Sequence, residues 1–167
     1  MRGAVRTVKN DEEKMGTIIS LTDVLKDPKR SPIVINDAAL LIAEEVQSKK
    51  GFSGTLVKSG YAVVKRLNKG RMIHEVLEGL LPEFVDAIEP LHKAYREGDT
   101  SKGFDVTLVA KDEAATQALL SVTDKRSKNT KHKVIQKTYE KLRPRAEEHV
   151  KLALPGLGRL IDKHTKS

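Results

Sequence analysis

Apolar residues recur in this chain at spacings of three and four almost without interruption, and that periodicity restricts the fold more than any other feature. Phe84, Ile88, Leu91 and Tyr95 are spaced 4, 3 and 4, the stripe of a helix that buries one face. Comparable stripes predict helix for most residues between Ser31 and Ile161, well above the ~30–35 % of an ordinary globular protein. The side chains available agree. Of 167 residues six are aromatic and none is Trp, so aliphatic residues and Ala must fill the core. The expectation is all-α: a compact, single-domain bundle of roughly eight short helices.

Ser20 reads as the N-cap of a short helix through Lys26, stopped before Asp27-Pro28. Ser31-Pro32 opens a helix to about Ser48 whose apolar residues cover most of its circumference, which predicts the central, buried helix. Ser53 caps the next, about Gly54 to Asn68, with Gly60 where another backbone approaches and Gly70 as the end. Met72 to Leu80 is a further helix, Pro82 starts another, and Pro90 should kink it. Residues 98–103 are polar and hinge-like. Phe104 to Val109 alternates like a strand but has no partner strand, so it is a loop or a helix capped by Asp105. Helices follow over Lys111 to Thr123 and from a Thr130 cap to Leu142. Pro144 kinks or restarts the latter, and Pro155-Gly156 breaks it before a last short helix.

The chain has no Cys, which excludes disulfides, thiolate nucleophiles and Cys-ligated zinc. No apolar run approaches the ~18 residues of a membrane span, and the start lacks a signal-peptide core. A cytoplasmic protein is expected, with residues 1–14 a polar, disordered extension and residues 15–167 the helical domain.

Charge is blocky. From Lys125 to Ser167 there are 13 Lys or Arg against 4 Asp or Glu, while the residues before them are almost balanced. Within that upstream part, residues 46–74 hold 7 bases and no acid, and residues 75–124 hold 4 bases against 11 acids. A clustered positive field attracts phosphates and anionic surfaces. Equally, the basic blocks could dock on the chain's own acidic middle.

Three segments carry candidate sites. Lys133, Lys137 and Lys141 recur every four residues on one helix face, and Arg143, Arg145, Lys151, Arg159 and Lys163 extend the field. Unpaired like charges at that spacing repel, so a polyanionic partner accounts for them, as does a solvated face that keeps the protein soluble. Leu154-Pro155-Gly156-Leu157-Gly158-Arg159 looks like a helix-hairpin-helix turn, with Gly156 and Gly158 exposing backbone N–H groups to phosphate. Asp162 and Thr165 depart from that pattern, and an ordinary Pro-Gly helix break explains the segment too. Lys49-Lys50-Gly51-Phe52-Ser53-Gly54 is a glycine turn with two lysines, a secondary anion site at Lys49, Lys50, Gly51 and Gly54, or simply a helix–helix turn.

Several stretches resemble one family. Gly51-Phe52-Ser53-Gly54 followed by Val57-Lys58-Ser59-Gly60-Tyr61, Leu80-Leu81-Pro82-Glu83-Phe84-Val85 and Leu120-Ser121-Val122-Thr123-Asp124 are similar to short, functionally uncharacterised actinobacterial proteins. Leu142-Arg143-Pro144 and His149-Val150 followed by Ala153-Leu154-Pro155 belong to the same pattern. The resemblance covers roughly Leu21 to His164. It implies a compact helical protein and carries over no catalytic or binding residue.

Enzyme constellations are poor. Glu89 and His92 form a single Glu-x-x-His, where a di-iron bundle needs two. His74, Glu75 and Glu78 share a polar helix face of the usual solvated kind. No catalytic residue, metal or cofactor and no small-molecule substrate is expected. The expected function is a non-enzymatic module meeting nucleic acid or another polyanion through phosphate contacts, with about five phosphates neutralised. The other expectation is a protein–protein or anionic membrane-surface module whose charges are largely satisfied internally.

Overall fold

The computed structural model describes residues 20–166, so the expected N-terminal extension lies outside the described residues. Helix α1 (Leu21–Leu25) is followed by α2 (Ser31–Ser48), α3 (Gly51–Gly70), α4 (Met72–Glu97), α5 (Phe104–Ala110) and α6 (Asp112–Asn129). Then come α7 (Lys133–Leu142), a 3-10 turn (Arg143–Arg145) and α8 (Ala146–Thr165). The fold is an all-α single domain, with no strand among the described residues.

Local chemistry explains most boundaries. Ser20 caps α1, its Oγ accepting the Asp23 N–H at 3.1 Å. Pro32 sits in the first turn of α2, where a missing N–H costs nothing. Backbone at Leu67, Asn68 and Lys69 leaves helical geometry, with φ of 49° and 57° at the last two, so α3 unwinds before Gly70. Pro144 restarts the chain through the 3-10 turn, as its sequence position predicts.

Two prolines behave differently from expectation. Pro82 starts no new helix, because α4 runs unbroken past both Pro82 and Pro90. Pro82 leaves the Glu78 carbonyl, four residues back, without its helical N–H, and the neighbouring Gly79 carbonyl accepts from the Arg126 guanidinium at 2.7 Å. Pro155-Gly156 likewise breaks nothing, and α8 continues through it to Thr165.

The strand-like segment is helix α5. Phe104 and Leu108, four apart, are wholly buried, while Val106 and Val109 face solvent. Asp105 does not cap it. The cap comes from Asp162 on α8, whose Oδ2 accepts the Phe104 N–H at 2.9 Å. The preceding loop, residues 98–103, is anchored by the Tyr95 hydroxyl, which donates to the Lys102 carbonyl at 2.9 Å.

Helices α4 and α8 occupy the centre, with α5 packed most extensively on α8 and α6 against both α4 and α8. Helix α2 is not the central one its composition predicts. Only Val34 and Ile35 are buried, and Ile33 and Leu40 are 54 % and 63 % exposed, because α2 packs on α4 and α8 from the edge. Helices α3 and α7 form a peripheral pair, joined where Gly60 meets Thr138 and Leu142.

Between α1, α2, α4, α6 and α8 lies an apolar cavity of about 270 Å³. The space is partly open to solvent and lined almost wholly by apolar side chains.

Candidate polyanion interface

The basic C-terminal third divides into paired and unpaired cations. Arg143 grips Asp124 with two hydrogen bonds, Nε to Oδ1 at 2.8 Å and Nη2 to Oδ2 at 3.2 Å. The Tyr139 hydroxyl donates to the same carboxylate at 2.5 Å. The Arg143 bond holds the Asp124 carboxyl below its ordinary range. Burial, then the bond to Asp124, pushes Tyr139 up to about 12. Lys151 meets Glu113 at 2.8 Å, Arg126 meets Glu83 at 3.5 Å, and Lys163 meets Asp37 at 2.9 Å beside His164 at 2.7 Å. Three of those acids, Glu83, Glu113 and Asp124, belong to the acidic middle. The internal docking considered from sequence is therefore part of the structure.

Lys133, Lys137 and Lys141 are different. All three are exposed on α7, and none forms an ion pair among the described residues. Arg145 and Arg159 are likewise exposed and unpaired there. The lysine stripe itself lies on one short, amphipathic helix with no fully buried side chain.

The hairpin expected at Leu154–Arg159 is not formed. Gly156 and Gly158 lie buried inside continuous α8, where their N–H groups point along the helix rather than at a ligand. They are small because neighbours press on them. A Cβ at Gly158 would stand 2.3 Å from the Asp105 Cα, and one at Gly156 would stand 2.5 Å from Leu41 Cδ1. At the secondary site Lys49 is buried, with Nζ 3.3 Å from Glu45. Gly54 packs on the Lys49 backbone, where a Cβ would come within 2.8 Å. Lys50 and Gly51 remain exposed, Gly51 with φ of 74°. Ser53 is no cap either, since its Oγ bonds His149 Nε2 at 2.5 Å.

The acid and imidazole candidates are separately engaged. His74 Nε2 bonds Asn36 at 3.1 Å and Glu75 accepts from Asn68. Glu89 accepts the Leu21 N–H at 2.8 Å and pairs with Arg96. His92 is buried, and Arg96 donates to its Nδ1 at 2.8 Å. Burial first, then the charges of Arg96 and Lys166, lowers His92 to about 4. Among the described residues no three His, Asp or Glu side chains converge as for a metal ion. Nor is any helix there long and apolar enough to cross a membrane.

One surface escaped the sequence. Phe52, Leu56 and Val63 line one side of α3 at 78 %, 36 % and 46 % exposure. Helical spacing shows that an apolar arc exists but not how much of it neighbours cover.

These features define a small helical protein with a basic, partly self-neutralised flank. The chain matches, over residues 21–165, a family of unknown function, DUF6918, and belongs to that family. Neither the curated proteins nor the solved structures provide a significant match.

Proposed function

We propose that the protein is a non-enzymatic helical module that binds a polyanion, namely duplex nucleic acid gripped through its phosphates without regard to sequence. The observation that carries this is the division of charge. Arg143, Lys151 and Lys163 are held by Asp124, Glu113 and Asp37, whereas Lys133, Lys137 and Lys141 have no partner among the described residues. Like charges left side by side on a helix repel, and a run of phosphates relieves that repulsion. With Arg143, Lys151 and Lys163 already paired, the three lysines of the stripe put about three phosphates in contact. The same proposal takes the protein to act in the cytoplasm and the family to be actinobacterial.

The test is binding to several unrelated DNA duplexes as salt is varied. A plot of log K against log salt should slope by about −3. Changing Lys133, Lys137 and Lys141 together to Gln should flatten it and weaken every duplex alike. Absence of binding at low salt, or a slope untouched by the triple change, would overturn the proposal.

A second proposal rests on a separate observation. Helix α3 carries Lys58, Lys65 and Arg66, no acid, and the exposed apolar side of Phe52, Leu56 and Val63. That combination suits an anionic lipid surface. Co-sedimentation with phosphatidylserine vesicles, lost in Phe52→Ser, would favour it over the first.

A further inference from the structure

We propose that the central cavity is a binding site for a small, uncharged, hydrocarbon-like molecule of roughly eleven carbon atoms. Its wall is aliphatic apart from Phe84 and Thr123, and carries no charged side chain. The Thr123 hydroxyl is already engaged: the Tyr139 proton goes to Asp124, so Thr123 donates its own to the Tyr139 oxygen at 2.7 Å. No polar group on the wall is therefore left to hold a water, which needs two to four such partners. Nor is any left to meet a charged or hydrogen-bonding ligand.

Size sets the scale. An apolar cavity of about 150 Å³ stays dry and takes up benzene, with its six carbons. In proportion, 270 Å³ takes roughly eleven carbons.

Polar contacts tie the walls to one another and fix their spacing. Leu21 at the start of α1 is tied to Glu89 of α4 at 2.8 Å. Arg30, ahead of α2, donates to the His164 carbonyl on α8 at 2.6 Å, and His164 meets Asp37. Arg126 ties α6 to the Gly79 carbonyl of α4. Collapse of the helices onto the void would break these bonds, whereas an apolar occupant restores the missing packing and leaves them intact.

The experiment uses the full chain and naphthalene, ten carbons without charge, followed by its fluorescence and by thermal melting. One molecule should bind saturably and raise the melting temperature. 2-Naphthoate, which adds a carboxylate, should bind about tenfold more weakly or worse. Ala153→Phe and the smaller Ala38→Leu place side chains in the cavity. Each should weaken naphthalene by about tenfold or more while keeping the helical circular dichroism and not lowering the melting temperature. The proposal is overturned if naphthalene shows no saturable binding. Equal binding of 2-naphthoate, or undiminished binding by both filled variants, overturns it as well. If neither filled variant folds, the space is not there to be filled and the proposal falls with it.

Discussion

Asp162 of α8 caps α5 from 58 residues away, its carboxylate taking the N–H of Phe104 at 2.9 Å. A seven-residue helix has little stability of its own, and this bond lets the strand-like run from Phe104 to Ala110 settle as helix. Asp162→Ala should cost about 1–2 kcal/mol, the usual loss for a removed cap. Urea unfolding would show it as a lower midpoint with an unchanged slope.

Glycine at 158 should be intolerant. Gly→Ala inside a helix normally stabilises by up to about 1 kcal/mol. Here the new methyl would meet the Asp105 backbone at 2.3 Å, so Gly158→Ala should destabilise by about 1–3 kcal/mol. Gly156→Ala meets flexible side-chain ends of Leu41 and Glu45 rather than backbone and should be milder. Equal effects in thermal melts would contradict the close α5–α8 contact.

Acid should weaken the fold before its carboxylates titrate. His92 is held neutral, lowered from 6.5 to about 4 chiefly by burial, so between those values the unfolded chain binds the extra proton. Its contribution is complete above pH 6.5 and lost as pH falls toward 4, roughly 3 kcal/mol in all. His149 is also lowered, first by burial, and adds in the same direction. His92→Gln should flatten the stability profile over that window.

Paired and unpaired cations should separate in stability. Lys137→Gln and Lys141→Gln should leave the melting temperature almost unchanged. Asp124→Asn removes the partner of both Arg143 and Tyr139. With the pair part-exposed and screened, it should cost about 1 kcal/mol. A comparable loss in Lys137→Gln would mean that the stripe packs on the protein itself.

The caps and turns at Ser20, Pro32, Gly70 and Pro144 were legible because each acts on its own neighbours along the chain. The Phe84–Tyr95 stripe was legible for the same reason, and Ile88 and Tyr95 are buried as expected. Pro82 was misjudged as a helix start and Pro155 as a break. An internal proline costs about 3 kcal/mol locally, and sequence does not show how far packing against distant helices outweighs it. The lysine stripe was visible as spacing. That it stays unpaired while Arg143, Lys151 and Lys163 do not depends on which acids lie within about 4 Å, which spacing cannot reveal.

The sequence by itself determined a helical protein, its main helix starts and stops, and the blocks of charge, because 3.6-residue periodicity and capping act over a few residues. Tertiary structure alone decided four things. It made α4 and α8 central rather than α2, and turned Gly156 and Gly158 from a hairpin into a packing seam. It left Lys133, Lys137 and Lys141 unpaired, and it left a cavity where five helices meet. Each depends on contacts between segments far apart in sequence, whose distances are set by the packing of the whole bundle.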